Sequence, residues 1–238
     1  MKWQEALNDF SLYLKIERGM SKHTVQNYTL DVQKLIAYLE SREMTLGPLQ
    51  ITSLQIQEFI YEIAKEMNPR TQSRLISGLR SFYDYLIFEN YCTSNPLEQI
   101  EAPKIGRKLP DTLSVKDIDL IVASIDLSSP QGERNRAIIE TLYSCGLRVS
   151  ELTELKISDL FFEEGFIKVT GKGNKQRFVP IGSLSQKYIN LYKNHVRVKI
   201  KIETPFNDTL FLNRRGKQLS RAMICTIVKT LGAKAGIK

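Results

Sequence analysis

The chain has 238 residues, of which 42% are hydrophobic and 25% are charged, so it can supply one large apolar core or two smaller ones. Its apolar runs, such as residues 118–125, are much shorter than the ~18 residues that a membrane span needs, and residues 1–5 do not open a signal peptide. We therefore expect a cytoplasmic protein. Three widely separated cysteines and two histidines favour neither a disulfide framework, nor a zinc site, nor a histidine-based triad.

The net charge of +8 is distributed unevenly along the chain. Residues 1–102 carry 10 basic and 13 acidic side chains, whereas residues 103–238 carry 24 and 13, which gives net charges of −3 and +11. An excess of this kind favours a polyanionic partner, because neutralised phosphates release their counterions, although it can also serve solubility alone.

Residues 1–102 predict helices only, because apolar side chains recur there at helical spacing in four segments. The fourth segment has a buried stripe and a second face that carries Arg70 and Arg74. Four such helices predict a small bundle. The expected starts of the segments are Trp3, then Ser21 or Thr24 as a cap, then Thr52-Ser53, then Asn68-Pro69.

Residues 103–112 contain two prolines, a glycine and three basic residues without apolar periodicity, which is typical of a linker between domains. Helices are expected again from Ser114, over residues 133–145 up to a stop at Gly146, and over 148–155. Residues 165–170 and 176–181 predict two strands of a hairpin. After it we expect a helix through Tyr188 and Tyr192, a short strand over 209–212, and a helix after Ser220.

Three groups of residues could handle phosphate. The turn Gly171-Lys172-Gly173 does not fit the P-loop pattern, since Phe166 and Gly173 stand where glycine and Ser/Thr are needed, and a lysine on a turn is by default only solvated. Arg148, after a glycine break at a helix start, could present its planar fork to a phosphate with Glu151 holding it, or the two could form an ordinary surface ion pair. The third group is a scatter of basic residues: Arg70, Arg74, Lys104, Arg107, Lys108, Arg214, Arg215 and Arg221.

Taken in order, the motifs resemble those of the tyrosine recombinases of the phage integrase family, specifically the Xer type. The most specific parts are the Gly-Leu-Arg-x-x-Glu-Leu segment and the Gly-Lys-Gly hairpin at their mutual spacing. The motifs that carry the resemblance are, in chain order, Ser21-x-x-Thr24-x-x-x-Tyr28, a fourth helix ending in Asn95-Pro96, Leu109-Pro110, Gly146-Leu-Arg148-x-x-Glu151-Leu152 and Gly171-Lys172-Gly173-x-Lys175-x-Arg177.

The resemblance implies a mainly α fold. Residues 1–102 would form a four-helix, SAM-like core-binding domain that clamps DNA, 103–112 a linker, and 113–238 an α+β catalytic domain with a small antiparallel sheet, incomplete at its C-terminus. The implied partners are double-stranded DNA with a specific recombination site and copies of the chain or a sister recombinase in a tetramer, with no membrane.

The resemblance also implies a chemistry. In this family a tyrosine attacks the scissile phosphate and forms a 3′-phosphotyrosyl link, so bond energy is conserved and no cofactor or metal is needed. Arg148 would stabilise charge on the phosphate, Lys172 would protonate the leaving 5′-oxygen, and Glu151 would support Arg148. Expected DNA contacts are Arg70, Arg74, Lys104, Arg107, Lys108, Lys175, Arg177, Arg214, Arg215 and Arg221.

The family's His-x-x-Arg motif, a further His or Trp and the nucleophilic tyrosine are expected beyond Lys238, and all ten tyrosines lie at or before Tyr192. We therefore expect this span to bind DNA without cleaving it, and its ending to reflect a truncated or incomplete product. Two alternatives remain open: a non-catalytic protein that competes for recombination sites, and a helix-rich transcription regulator.

Overall fold

The structure is a computed structural model that describes residues 1–106, 109 and 111–237, and for Lys172 it describes the backbone alone. The chain divides into two compact units, Met1–Leu109 and Pro110–Lys238. Each unit has its own cluster of buried apolar side chains. The expected mainly α fold with a small antiparallel sheet is confirmed.

The regular secondary structure in the described part of the first unit is helical. Side-chain oxygens cap three of its helices: Ser21 accepts from the Thr24 amide, and Thr52 and Asn68 cap the next two in the same way. The helices are α1 (Trp3–Ile16), α2 (Lys22–Ser41), α3 (Ser53–Ala64) and α4 (Pro69–Phe88).

Helix α4 ends earlier than the sequence indicated. It was expected to reach Asn95-Pro96, but it stops at Phe88. The reason is local, since Asn90 takes a left-handed conformation with φ of 61° and the Tyr91 amide donates back to the Leu86 carbonyl.

The core of the first unit lies between the apolar stripes of its helices. The stripe of α4 is the expected one, Leu75, Leu79, Phe82 and Leu86, all buried. The fully buried apolar residues of the other helices include Phe10, Leu14, Val32, Leu35 and Ile56.

The second unit packs five α-helices of the described region with a small sheet. Tyr192, just past α8, is fully buried, and the helix continues there as a π turn over Tyr192–Val196. The helices are α5 (Val115–Ala123), α6 (Gly132–Cys145), α7 (Val149–Glu154), α8 (Ser183–Leu191) and α9 (Arg221–Lys234).

The sheet of the second unit has the strand order β1-β2-β3, with antiparallel neighbours. The expected hairpin is present as β2 (Phe166–Thr170) and β3 (Gln176–Pro180), in a register that pairs Val169 with Arg177. The sequence interpretation missed β1 (Leu160–Phe161), which is only two residues long.

The strand expected over 209–212 is wrong. Thr209 and Leu212 form only isolated bridges, to Lys156 and Gln218. Side chains take over part of the backbone hydrogen bonding here, because buried Arg197 donates to the Thr209 carbonyl and the Leu212 amide donates to the hydroxyl of Tyr192.

No helix among the described residues is long and apolar enough to cross a membrane. In the same part of the chain, no group of three or more His, Cys, Asp or Glu side chains is placed to hold a metal ion. The three cysteines are free thiols: Cys145 is buried, Cys92 is half-buried and Cys225 is exposed.

Candidate active site

The site is built where α6 ends and α7 begins. Gly146 has φ of 57°, a left-handed conformation that favours glycine, and it ends α6. Two residues later Arg148 is extended, with φ of −67° and ψ of 150°, and caps α7. Leu147 between them is buried. This reversal places Arg148 at the start of α7, one turn before Glu151.

Arg148 and Glu151 form a pair of unequal exposure. The Arg148 amide donates to Oε2 of Glu151 at 2.8 Å, and Nη1 of Arg148 donates to Oε1 at 2.9 Å. The Arg148 side chain is 72% exposed, whereas that of Glu151 is 2% exposed. The pair is therefore not an ordinary surface ion pair, since its carboxylate is buried and its guanidinium faces solvent.

Arg177 of β3 bonds to the same carboxylate. Its Nη1 donates to Oε1 of Glu151 at 2.7 Å and its Nη2 donates to Oε2 at 2.9 Å. These bonds from Arg177, with those from Arg148, lower the pKa of Glu151 to about 2. Glu151 is thus ionised at any working pH and joins α7 to the hairpin. Nothing in the sequence indicated the Glu151–Arg177 pair, because 26 residues separate its members.

The turn between β2 and β3 lies next to this carboxylate. Gly171 donates its amide to the Lys175 carbonyl at 2.8 Å, and Gly173 has φ of 73°. A Cβ built on Gly171 would lie 3.3 Å from Oε1 of Glu151 and 3.4 Å from Nη1 of Arg177. The backbone of Lys172 therefore follows directly on a residue packed against Glu151, while its side chain lies outside the described residues.

The hairpin residues expected to contact DNA have different surroundings. Lys175 is exposed in the turn. The Arg177 side chain is 42% exposed, and both of its terminal nitrogens already bond to Glu151. Its contact with DNA stays a prediction.

In the first unit, Arg70 and Arg74 lie one turn apart on α4. Arg70 is exposed, whereas Arg74 donates from Nη2 to Oδ1 of Asp31 at 2.8 Å and also bonds to Oδ2 from Nη1. Asp31 of α2 is fully buried, and this burial raises the pKa of its carboxyl group despite the bonds from Arg74. Arg74 therefore ties α4 to α2, a role that its position in the sequence did not reveal.

Four more of the predicted DNA contacts are exposed: Lys104, Arg214, Arg215 and Arg221. Lys104 lies in the segment without regular secondary structure that follows the first unit's helices. Arg214 and Arg215 line a cavity of about 580 Å³ beside α9, where Arg214 donates to Gln131 at 2.6 Å. Arg221 is the first residue of α9. Two further predicted contacts, Arg107 and Lys108, lie outside the described residues.

Comparison with protein-family models decides the family. Residues 111–238 match the model described as "Phage integrase family", and residues 7–90 match "Phage integrase, N-terminal SAM-like domain". The chain belongs to the phage integrase family. The predicted resemblance to tyrosine recombinases is thereby confirmed, and the family is one of enzymes.

Individual members of the phage integrase family agree with this assignment. Tyrosine recombinase XerD of Oceanobacillus iheyensis is 37% identical over 233 residues, which cover 98% of this chain and 78% of the relative. Tyrosine recombinase XerD of Listeria innocua is 34% identical over 235 residues, which cover 98% of this chain and 79% of the relative.

Solved structures share the fold at lower identity. The lambda integrase (75–356) dimer bound to a COC' core site has a TM-score of 0.72 at 19% identity, covering 100% of this chain and 83% of that one. XerH site-specific recombinase bound to a palindromic difH substrate has a TM-score of 0.72 at 23% identity, and the match covers 98% of this chain and 68% of the XerH chain. These likenesses describe the fold of this phage integrase family member.

Proposed function

We propose that this chain acts in site-specific DNA recombination of the Xer type, and that Arg148 binds the scissile phosphate. The observation that carries the proposal is the exposed Arg148 guanidinium, held by a buried carboxylate at a helix N-terminus. The similarity to XerD recombinases, and to the XerH and lambda integrase structures that are bound to DNA sites, supports a DNA substrate.

The geometry of Arg148 suits a phosphate that becomes more negative during the reaction. A guanidinium has five N–H donors, and among the described contacts one of those on Arg148 donates to Glu151. The remaining donors form a planar fork that matches two phosphate oxygens. Because Glu151 holds the side chain in advance, little reorganisation is needed when charge develops on the non-bridging oxygens.

We assign Lys172 the role of general acid toward the leaving 5′-oxygen. Its backbone lies in the turn next to Glu151, and an ammonium can give up a proton whereas a guanidinium cannot. Glu151, with its low pKa, stays a carboxylate and supports Arg148 without exchanging protons itself.

The remaining basic residues would hold the duplex. We propose that α4 with Arg70 faces the major groove, and that the linker contributes Lys104, Arg107 and Lys108 to the phosphates. On the second unit the contacts are proposed to be Lys175, Arg214, Arg215 and Arg221, whereas both terminal nitrogens of Arg177 are already bonded to Glu151. The first unit and the linker thus act as a clamp, and the second unit carries the site.

The lambda integrase structures also suggest how this chain assembles on DNA. One lambda integrase structure is described as a tetramer bound to a Holliday junction, and another as a dimer on a core site. We propose that this chain likewise acts with further copies of itself or with a sister recombinase on a two-sided recombination site.

The 238 residues alone are proposed to bind DNA without cleaving it. Three tyrosines lie in the second unit, and two of them have other contacts. The Tyr192 hydroxyl accepts from the Leu212 amide in the core, and the centroid of the Tyr188 ring lies 4.4 Å from Cζ of Arg136. Tyr143 is exposed, but it lies in α6, before the Arg148 motif, whereas the family's nucleophile follows it in sequence.

The test is a duplex nicked near the site, which loses its short leaving strand after cleavage and so traps a phosphotyrosyl adduct. We expect the 238-residue chain to bind this duplex with steep salt dependence and to form no adduct on a denaturing gel. A covalent adduct at Tyr143 would contradict the proposal, and absence of any binding would contradict the DNA role.

The alternative is a non-catalytic protein that occupies recombination sites. The trio of Arg148, Glu151 and Lys172 favours the recombinase, because phosphate binding alone does not need a carboxylate-held arginine beside a lysine turn. The two are separated by reading the gene past codon 238: an in-frame His-x-x-Arg and later tyrosine support the recombinase, and a stop codon at the native locus supports the competitor.

A further inference from the structure

Arg177 has a role that follows from its contacts with Glu151. Resting on the proposed function of Lys172, we infer that Arg177 is a positioning residue, which through Glu151 fixes the turn bearing Lys172 in place beside Arg148. The link formed by Arg148, Glu151 and Arg177 is called the Glu151 latch below.

The latch joins α7 directly to β3, in addition to the apolar packing of Leu152 of α7 in the same core as Ile167 and Val169 of β2. Glu151 belongs to α7, and Arg177 lies on β3, one residue after the strand begins. Both terminal nitrogens of Arg177 bond to the two oxygens of Glu151, at 2.7 and 2.9 Å. A bidentate pair of this kind fixes orientation as well as distance, because two parallel bonds resist rotation.

The turn is placed by the same contacts. Gly171 sits so close to the latch that a Cβ would meet Glu151 Oε1 at 3.3 Å and Arg177 Nη1 at 3.4 Å. Its amide bonds to the Lys175 carbonyl, which closes the turn over residues 172–174. The carboxylate and the guanidinium therefore form the surface on which the residue before Lys172 rests.

A solvated DNA contact is a weaker account of Arg177. Its guanidinium is directed to a carboxylate whose side chain is 2% exposed, and Glu151 would lose its bidentate partner if Arg177 turned to a phosphate. Burial of Glu151 without that partner is costly, because a buried carboxylate needs compensating donors. The contacts of Arg177 therefore favour a structural role beside Glu151 over a direct contact with DNA phosphate.

The first arm of the test measures hydrogen exchange of the 238-residue chain without DNA. We expect Arg177→Ala to speed exchange of the Gly171 amide at least tenfold, and Arg177→Lys, which keeps the charge but not the fork, to give an intermediate increase. Lys229→Gln, a charge change at an exposed position of α9, should leave that amide unchanged. Unchanged exchange in Arg177→Ala would overturn the inference.

The second arm separates positioning from simple support of the hairpin. Bound duplex should protect Lys172 from acetylation about fivefold in the wild-type chain, and less than twofold in Arg177→Ala at DNA concentrations that saturate both. Equal protection in the two chains would show that Arg177 steadies the turn without positioning Lys172, which also overturns the inference.

Failure of the proposed function gives a different pattern. If the wild-type chain binds duplex but Lys172 remains as reactive as in free protein, the role of Lys172 is wrong whatever Arg177 does. If protection is present in the wild type and lost in both Arg177→Ala and Glu151→Gln, the latch and the function both stand.

Discussion

Gly78 of α4 lies against Asp31 of α2 so closely that a Cβ on the glycine would be 2.5 Å from Oδ2 of the carboxylate. The two helices can approach at this point because one of them has no side chain there. The carboxylate is buried and held by Arg74, so it cannot move aside cheaply.

Gly78→Ala should therefore destabilise the first unit, although alanine is the better helix former. Overpacking against Asp31 is expected to cost about 1–3 kcal/mol. Gly232→Ala is the matched control, because Gly232 also lies within a helix but has nothing within 4 Å of its Cβ position, and it should stabilise by about 0.5–1 kcal/mol. Urea denaturation of both variants measures the difference; equal effects would contradict the packing argument.

Arg74→Met should leave Asp31 buried without its cation. We expect a loss of about 2–3 kcal/mol at neutral pH, less than the ~3–5 kcal/mol of a fully buried pair because the Arg74 side chain is 37% exposed. Burial already raises the pKa of Asp31 in the wild-type protein, and Arg74 opposes this effect. Without Arg74 the folded variant should therefore take up a proton on Asp31 more readily as the pH falls. The deficit should shrink as the pH falls toward 4, and a deficit that grows with acidity would refute this account.

Arg70→Ala tests the placement of α4 on DNA. Loss of one phosphate contact should reduce the slope of log K against log salt by about 0.9 and leave unfolding unchanged. Arg18→Ala removes the same charge just after α1 and should leave the slope as it is. Fluorescence anisotropy over a salt series measures both, and identical slopes for Arg70→Ala and the wild type would place α4 away from the phosphates.

Arg148→Ala should separate binding from stability. The Arg148 side chain is exposed, and Glu151 keeps the bonds from Arg177 and from the residue 148 amide, so the unfolding free energy should change by less than about 1 kcal/mol. Affinity for duplex should fall about tenfold, as expected for a charged hydrogen bond. Arg148→Lys should recover part of it, and a large drop in stability would contradict this arrangement.

Glu151→Gln should show a characteristic dependence on pH. The folded-state pKa of Glu151 is about 2, below its ordinary value of 4.5, so the carboxylate contributes stability above 4.5 that is lost as the pH falls through 2. The difference between wild type and Glu151→Gln should thus be full at pH 7, smaller at pH 3 and nearly absent at pH 2. A difference independent of pH would contradict the lowered pKa.

The sequence predicted most of the fold because its signals are local. Ser21, Asn68 and Ser220 cap helices as their positions indicated, and Gly146 ends α6 as expected. The spacing of apolar residues likewise predicted the buried stripe of α4. Each of these features depends on neighbours within one or two helical turns.

The features that could not be predicted depend on distant partners. The Asp31–Arg74 pair spans 43 residues and the Glu151–Arg177 pair spans 26, and neither has a periodic signal. The prediction of a strand over 209–212 was wrong for the same reason. Arg197 and Tyr192 form hydrogen bonds with the backbone of this segment, and the sequence of the segment alone does not indicate them. Long-range side-chain bonds override local patterns at these points.

Because Glu151 and Arg177 sit on different elements, the β2–β3 hairpin is not an exchangeable module. A chimaera that replaces residues 165–181 with the hairpin of a relative would need a guanidinium at the position of Arg177 and a glycine at that of Gly171. Without them the transplanted loop would bring a lysine but lose its support. Grafts between recombinases should therefore carry α7 and the hairpin together.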